Sequence, residues 1–327
     1  MRPGNWPAAT GRSAPSSKAD PDRPVSASLL DRLITAIQYL IPQHGYCALV
    51  HWIAHCRTPW FKTALIHAFI RLQGVDMEEA LEPDPAAYED FNAFFTRALK
   101  LQARPVAGPG LLASPVDGTI SQIGTIRRGS LLQAKGHDYR LAALLGDEAL
   151  AERLEGGAFV TLYLSPRDYH RVHMPLAGTL EAMRYVPGSL FSVNERTTRT
   201  IPGLFTRNER LVMDFSGEVE PLVVVMVGAI GVGGLETVWA GEITPPHGTT
   251  GREWRYPGAG EGSVRLAKGA ELGRFNLGST VILALPAGTV EWDEGLTPGT
   301  PVRMGQPLGR LLHPAPPTDN QQPTTDN

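Results

Sequence analysis

The 327-residue sequence contains only two cysteines, Cys47 and Cys56. Two thiols, both placed in a predicted helical region, are too few for a disulfide scaffold or for a cysteine zinc site. We interpret them as packing residues, which is the usual role of a free cysteine. The sequence therefore requires no oxidising compartment.

An excess of positive charge is also missing. The sequence has 30 Lys and Arg against 33 Asp and Glu, a formal net charge of −3. Surfaces that bind nucleic acids normally carry a basic excess, so we expect no nucleic-acid partner. A membrane surface stays compatible with this charge, because a local basic cluster is enough to bind anionic lipid.

Long apolar runs are missing as well. No uninterrupted stretch approaches the roughly 20 residues that span a bilayer. Residues 1–28, rich in Pro, Ser, Ala and Arg, lack the apolar segment of a secretory signal. They and the polar residues 314–327 are predicted to be disordered tails.

Three amphipathic segments follow the first tail. Apolar residues recur at helical spacing over residues 29–41, 46–53 and 60–70, and Pro42 and Gly45 are predicted to close the first segment. Aromatic and basic residues are interspersed, which is typical of helices that lie in a membrane interface. The alternative is that the apolar faces pack on the protein's own core, as in most amphipathic helices.

From about residue 105 the pattern changes to short apolar runs separated by Gly, Pro and Asp, which predicts strands. The clearest runs are Phe159–Leu164, Leu222–Val227 and Val281–Leu285. The turn rhythm of residues 114–120 and 302–309 is that of barrel-sandwich folds. We therefore predict an α+β protein, in which membrane-associating amphipathic helices over 29–75 precede a mainly β, barrel-sandwich-like catalytic domain over 76–313.

Candidate catalytic residues lie in three motif segments, Ala113–Gly118, Ser165–Pro175 and Gly273–Thr280. A serine hydroxyl becomes a good nucleophile only when a base removes its proton and a third group orients that base. An Asp, a His and a Ser from distant parts of a chain can supply this arrangement. Each segment is weak evidence by itself, because Asp-Gly and Gly-Ser pairs are ordinary turns.

A metal site is not predicted. His170 and His173 are spaced three apart, but no third ligand with a recognised spacing follows them. The flanking Pro166 and Pro175 also disfavour the helix that would bring both imidazoles to one face.

In combination, the motif segments resemble the phosphatidylserine decarboxylase family. The resemblance rests on Leu-Gly-Ser-Thr at 277–280, followed by an apolar strand, and on Asp-Tyr-His-Arg-Val-His-Met-Pro at 168–175. It extends in order from about residue 90 to 290. Further matching blocks are Phe94–Arg97, Ser114–Gly118, Lys135–Gly136, Pro187–Asn194, Gly228–Ala229 and Lys268–Gly269.

The resemblance implies a proenzyme that cuts itself between Gly278 and Ser279. Asp117 and His173 match the acid and base that activate the serine, and Ser279 becomes a covalent pyruvoyl group, the implied cofactor. The implied reaction is the decarboxylation of phosphatidylserine to phosphatidylethanolamine and CO₂ in phospholipid biosynthesis, with the pyruvoyl group as the electron sink. His170 is the candidate for the proton donor to the decarboxylated carbon, or else a structural histidine.

Further residues are candidates for the substrate pocket. Asp168, Tyr169 and Phe191 could bind substrate, and Asp168 could instead tune a neighbouring imidazole. Tyr169 and Phe191 could equally pack in the core. Arg167 and Arg171 could neutralise the lipid phosphate or simply be solvated.

The resemblance also implies how the protein is assembled and where it acts. The two self-cut chains, 1–278 and 279–327, would stay associated, and a homodimer is compatible with the resemblance. The implied location is that of a peripheral protein on the cytoplasmic face of the cell membrane, with phosphatidylserine in the bilayer as its partner.

Other functions remain open from the residues themselves. A pyruvoyl-dependent decarboxylase for a soluble amino acid would leave the aromatic amphipathic helices unexplained. A non-enzymatic barrel-sandwich binding module would leave the Asp, His and Ser set without a role. A conventional serine hydrolase is expected to show a Gly-x-Ser-x-Gly elbow, which is absent around Ser279.

Overall fold

The structure is a computed structural model that describes residues 29–134, 137–231, 234–276 and 279–312. The two predicted tails, 1–28 and 314–327, lie outside the described residues. Residue 313, the predicted end of the catalytic domain, also lies outside them.

Three helices open the described chain, as the apolar periodicity predicts. They are α1 (Leu29–Leu40), α2 (Gln43–Ala54) and α3 (Pro59–Gln73). Pro42 separates the first two, because proline disfavours helical backbone at the residue before it. The prediction for Gly45 was wrong: this residue lies inside α2, where the helix continues past it. Helix α3 ends at Gly74, whose φ of 68° is the left-handed conformation that glycine adopts readily.

The cysteines are free thiols in this region. Cys47 is buried in α2, whereas Cys56 lies just after the helix and is partly exposed. None of the helices in the described part of the chain has the length and apolarity needed to cross a bilayer.

A short helix, α4 (Phe91–Phe95), connects the N-terminal helices to the β-rich part. Asp90 caps it by accepting a hydrogen bond from the backbone N–H of Ala93, at 2.8 Å. The phenylalanines of α4 pack edge-on against Phe69 of α3 in a separate small core.

The remaining elements of the described chain are mostly strands. The first group is β1 (Leu111–Ala113), β2 (Gly118–Thr125), β3 (Ser130–Ala134), β4 (His137–Arg140), α5 (Leu141–Leu145), α6 (Glu148–Arg153), β5 (Ala158–Leu164), β6 (Arg171–His173) and β7 (Gly178–Val186). The second group is α7 (Glu195–Thr200), α8 (Leu204–Arg207), β8 (Arg210–Gly217), β9 (Leu222–Val227), β10 (Leu235–Thr237), β11 (Gly241–Thr244) and β12 (Arg252–Arg255). The last group is β13 (Arg265–Leu266), β14 (Glu271–Phe275), β15 (Ser279–Leu285), β16 (Val290–Trp292), β17 (Pro301–Val302) and β18 (Pro307–Leu311). The three apolar runs singled out in the sequence become β5, β9 and β15.

The largest sheet is antiparallel, in the order β12-β7-β8-β9-β15-β5-β2-β17, with β13 also pairing β7. Its path is open among the described strands. Smaller sheets have the orders β1-β18-β16, β11-β10-β14-β6 and β3-β4. The mixed α+β architecture, with N-terminal helices before a mainly antiparallel β part, confirms the predicted fold class.

Strand β15 lies in the middle of the largest sheet, and all seven of its residues are buried. Its side chains alternate between two faces. Val281 and Leu283 belong to the core cluster on one face, and Ile282 and Ala284 belong to the cluster on the other. Burial on both faces and pairing on both edges hold this strand firmly.

Candidate active site

The three motif segments meet beside the beginning of β15. The backbone N–H of His173, in the second segment, donates to the carbonyl of Pro115, in the first, at 2.8 Å. The N–H of Phe275, in the third segment, donates to the carbonyl of His170 at 3.1 Å. Residues that are distant in sequence are therefore neighbours in the fold, as a shared active site requires.

Ser279 is the first residue of β15 and is fully buried. It stands opposite Leu164, the last residue of β5. Its Oγ makes no hydrogen bond to any described residue. A buried hydroxyl without a partner costs about 1–3 kcal/mol, and a role in chemistry is one reason for which such a group is retained. Leu277 and Gly278, which precede it, are outside the described residues.

His170 is also fully buried, and its Nδ1 lies 2.8 Å from the backbone carbonyl of Asp168. Because a carbonyl only accepts, Nδ1 carries the proton and Nε2 presents its lone pair. That Nε2 has no partner among the described residues. Burial, opposed by the bond to Asp168 and assisted by the charge of Arg97, lowers the pKa of His170 to about 3. The resting imidazole is therefore neutral, and it can donate a proton from Nε2 only after accepting one.

His173 is held at both ring nitrogens. Its Nδ1 lies 2.9 Å from the carbonyl of Gly269, and its Nε2 lies 2.9 Å from the hydroxyl of Tyr169. The carbonyl fixes the proton on Nδ1, so Nε2 accepts from the tyrosine. Burial lowers the pKa of His173 below its usual value. The ring is therefore neutral, and its role as the base for Ser279 stays a prediction.

Asp117 is held by groups other than the histidine. Arg104 binds both carboxylate oxygens, with Nε 2.8 Å from Oδ1 and Nη2 2.5 Å from Oδ2. The backbone N–H of Met304 donates to Oδ1 at 2.8 Å. In the triad that the resemblance implies, the carboxylate of Asp117 would bind Nδ1 of His173. In the structure, the carbonyl of Gly269 lies at this nitrogen instead. The role of Asp117 as the triad acid stays a prediction.

The candidate substrate-binding residues of the second segment serve the local structure. The Asp168 side chain accepts from the N–H and the hydroxyl of Ser165, at 2.7 and 2.8 Å. Its backbone carbonyl, rather than its carboxylate, contacts His170. Tyr169 is buried, which raises the pKa of its hydroxyl to about 12, and it binds His173.

Phe191 packs on the face of β15 opposite the Ser279 side chain. Its ring centroid is 4.7 Å from that of Tyr39 in α1, and it packs in the same cluster as Ile282 and Ala284. Those two side chains point to the face of β15 opposite Ser279. The structure thus places Phe191 in the core and beside the N-terminal helices.

Arg104, which binds the candidate acid Asp117, was missed by the sequence reasoning. It is a single charged residue in an irregular segment, where no periodicity draws attention to it. Burial by itself would lower its pKa, but the hydrogen bonds and charges of Asp117 and Glu79 raise it well above the ordinary arginine value. Of the two arginines that the sequence offered for neutralising the lipid phosphate, Arg171 is paired with Glu271 at 2.8 Å.

Comparison with known proteins decides the family. The profile of the family described as phosphatidylserine decarboxylase matches residues 91–310, and a second profile, described as PSD, matches residues 33–72. The chain belongs to the phosphatidylserine decarboxylase family. It is a decarboxylase, and the resemblance based on the motif segments is confirmed.

Relatives match nearly the whole length of this decarboxylase. The chain is 53% identical over 287 residues to the phosphatidylserine decarboxylase proenzyme of Methylococcus capsulatus, covering 87% of this chain and 99% of that protein. It is 55% identical over 282 residues to the proenzyme of Azotobacter vinelandii, covering 86% and 98%. The proenzyme of Pseudomonas aeruginosa is 54% identical over 283 residues, with the same coverage.

Within the described ranges, no group of three or more His, Cys, Asp and Glu side chains is arranged to hold one.

Proposed function

We propose that this decarboxylase converts phosphatidylserine to phosphatidylethanolamine and CO₂ after cutting itself between Gly278 and Ser279. The observation that carries the proposal is the fully buried Ser279 hydroxyl, which has no hydrogen-bond partner among the described residues and stands at the start of a firmly held strand. The names of the relatives, which are proenzymes for this activity, support the substrate and the processing.

The self-cutting step uses the chain's own residues. Once Nε2 of His173 is released from the Tyr169 hydroxyl that it binds in the uncut chain, it takes the proton of Ser279, and the serine Oγ attacks the carbonyl carbon of Gly278. The peptide C–N bond breaks and an ester forms, with the proton passing to the freed amine. Asp117, in its expected role, stabilises the imidazolium through its negative charge.

Elimination of the ester then separates the chains. A base removes the α-proton of residue 279, the bond between Cβ and the ester oxygen breaks, and the first chain leaves with a carboxylate at Gly278. The dehydroalanine that remains takes up a proton at Cβ to become an imine. Water hydrolyses this imine, so that the nitrogen of residue 279 leaves as ammonia and a keto group remains at the new N-terminus. The products are a chain of residues 1–278 and a chain that begins with a pyruvoyl group.

The surroundings of Ser279 fit such a group. Strand β15 is paired with β5 and β9 on either side, so the new end would stay in place after the cut. When present, the pyruvoyl group supplies the electron sink for loss of CO₂. We assign to His170 the delivery of a proton to the substrate carbon that loses its carboxylate. The unpartnered Nε2 supports this role, and the low pKa requires that the proton be taken up first.

The two chains are expected to remain together without a covalent link. Three strands that follow the proposed cut pair with strands that precede it. Strand β15 pairs with β5 and β9, strand β17 pairs with β2, and strand β18 pairs with β1. Cutting one peptide bond leaves these ladders and their buried side chains intact.

The N-terminal helices are the proposed membrane contact, on the cytoplasmic face of the cell membrane. They expose large apolar side chains, which suits burial at the level of the lipid head groups. These side chains are Ile37, Tyr39, Leu40, Tyr46, Leu49, Trp52, Trp60 and Leu72.

The test is incubation of the purified protein with phosphatidylserine vesicles, with phosphatidylethanolamine measured as the product. Borohydride added together with substrate should stop the reaction and attach the lipid amine to the chain that begins at residue 279. L-serine in place of the lipid should give no product, which separates this proposal from a decarboxylase for soluble amino acids. Full activity without any label on that chain would contradict the proposal.

A further inference from the structure

Arg97, two residues after the end of α4, is a buried cation without a carboxylate partner among the described residues. It is 4% exposed. Its Nε has no hydrogen-bond partner in the described parts of the chain, and its Nη2 lies 3.4 Å from the carbonyl of Arg167, beyond the usual range for a strong bond. Its guanidinium carbon lies 5.5 Å from the centroid of the Phe94 ring. Arginine keeps its charge in proteins, and a buried charge without a partner is costly.

Arg210 shows what a purely structural buried arginine looks like in the same chain. It is 2% exposed and, like Arg97, forms no ion pair with a described carboxylate. Its guanidinium instead donates to four backbone carbonyls at 2.6–2.9 Å. A buried arginine without a carboxylate partner is therefore tolerated where backbone carbonyls accept its hydrogen bonds. Arg97 does not have such a set of carbonyls around it.

Arg97 belongs to the same wall of the site as His170. The end of α4 lies against the second motif segment: the ring centroids of Phe95 and His170 are 4.1 Å apart. The carbonyl of Thr96 accepts a hydrogen bond from Nε of Arg171 at 2.8 Å. The next residue along the chain is Arg97, whose charge acts on the imidazole of His170.

Two other cations near the site, one of them buried, are already engaged. Arg104 is bound to Asp117 and to Glu79, and Arg171 is paired with Glu271. Among the described residues around His170, this leaves Arg97 as the buried guanidinium with hydrogen-bonding capacity to spare.

We propose that Arg97 binds the phosphodiester of the phospholipid head group, an inference that rests on the proposed function. A guanidinium matches two oxygens of such a group in a bidentate contact. Arg97, His170 and Ser279 are all buried in the uncut chain, and we infer that they become accessible to the lipid together once the chain is cut.

The chemistry favours the phosphodiester over the substrate carboxylate. The carboxylate loses its charge as CO₂ forms, so a cation bound to it would stabilise the ground state more than the transition state and slow the reaction. The phosphodiester keeps its charge throughout. A cation can therefore hold it at every stage without opposing the loss of CO₂.

The test measures binding to the self-cut protein by calorimetry, without turnover. Glycerophosphoethanolamine offers the phosphodiester without the carboxylate, and L-serine offers the carboxylate without the phosphodiester. We expect Arg97→Gln to weaken binding of glycerophosphoethanolamine about 30-fold, as for the loss of a charged hydrogen-bonded contact. Arg97→Lys keeps the charge but loses the two-pronged guanidinium contact, so its affinity should lie between those of the wild type and Arg97→Gln. Arg140→Gln, a matched loss of an exposed arginine, should bind like the wild type.

The same variants should show a raised KM for phosphatidylserine with a smaller change in kcat. The proposal is wrong if the wild-type protein does not bind glycerophosphoethanolamine. It is also wrong if both Arg97 variants bind this diester as tightly as the wild type does. A selective loss of L-serine binding would assign the carboxylate to Arg97 and overturn it too. Since binding is measured without turnover, a wild type that binds the diester but leaves phosphatidylserine unchanged counts against the proposed function instead.

Discussion

Arg104 donates hydrogen bonds to both carboxylate oxygens of Asp117, with Nε 2.8 Å from Oδ1 and Nη2 2.5 Å from Oδ2. The carboxylate that the family resemblance assigns to a catalytic triad is thus bound to a guanidinium. The orientation of His173 comes instead from the carbonyl of Gly269. In the uncut chain, the tautomer of the base is set by the backbone.

Breaking this buried ion pair should destabilise the protein strongly. We predict that Arg104→Gln lowers the free energy of unfolding by about 3 kcal/mol, because it leaves the carboxylate of Asp117 buried without its partner. The matched control is Arg310→Gln, whose pair with Glu291 is exposed and should contribute about 1 kcal/mol or less. Thermal unfolding of the three proteins checks this. Equal losses for the two variants would contradict the importance of the buried pair.

The two histidines should separate the self-cutting step from decarboxylation. We predict that His173→Ala leaves the chain uncut, because the base for Ser279 is lost. His170→Ala should still cut but form phosphatidylethanolamine poorly, because the proton donor is lost. Gel analysis of the chains and product formation from vesicles measure the two steps. Normal processing in both variants would show that the roles are wrongly assigned.

The buried neutral His170 should make the fold sensitive to acid. Its folded pKa of about 3 lies below the ordinary 6.5. Above pH 6.5 the side chain is neutral in both states; below it, the unfolded chain takes up a proton that the folded chain refuses. Stability should therefore fall by up to about 1.4 kcal/mol per pH unit from this group alone.

The variant His170→Asn isolates this effect from the titration of carboxylates. Between pH 6.5 and 4.5, the wild type should lose more free energy of unfolding than the variant, as measured by denaturant unfolding at each pH. Parallel curves for the two proteins would mean that His170 is not buried in its neutral form.

The exposed tryptophans of the N-terminal helices should mediate vesicle binding. Trp52 is 71% exposed and Trp60 is 74% exposed, and such rings suit the interface of a bilayer. The double variant Trp52→Ala and Trp60→Ala should sediment less with phosphatidylserine vesicles. Leu132→Ala, an exposed apolar residue outside these helices, should sediment normally. Unchanged binding of the double variant would place the membrane contact elsewhere.

The sequence predicted the elements whose signal is local. The helices and the strands β5, β9 and β15 follow from the spacing of apolar residues, which is fixed by the burial of one or two faces. The prediction for Gly45 failed because a glycine inside a helix costs only about 1 kcal/mol, which packing can offset.

The partners of the site residues could not be predicted in the same way. The motif segments indicated that Asp117, His173 and Ser279 are functional, and the fold brings their segments together. The carbonyl of Gly269 at His173 and the guanidinium of Arg104 at Asp117 come from distant positions without a pattern. Such contacts depend on the three-dimensional path of the chain rather than on its local sequence.

The central claim is that Ser279 becomes an electrophile by breaking its own peptide bond. The most direct measurement is the mass of the denatured wild-type protein, with Ser279→Ala and Ser263→Ala prepared in parallel. We predict two chains for the wild type and for Ser263→Ala, the smaller beginning at residue 279 with a keto group in place of an amine, and one uncut chain for Ser279→Ala. A wild type that stays a single full-length chain and still decarboxylates phosphatidylserine would contradict the account.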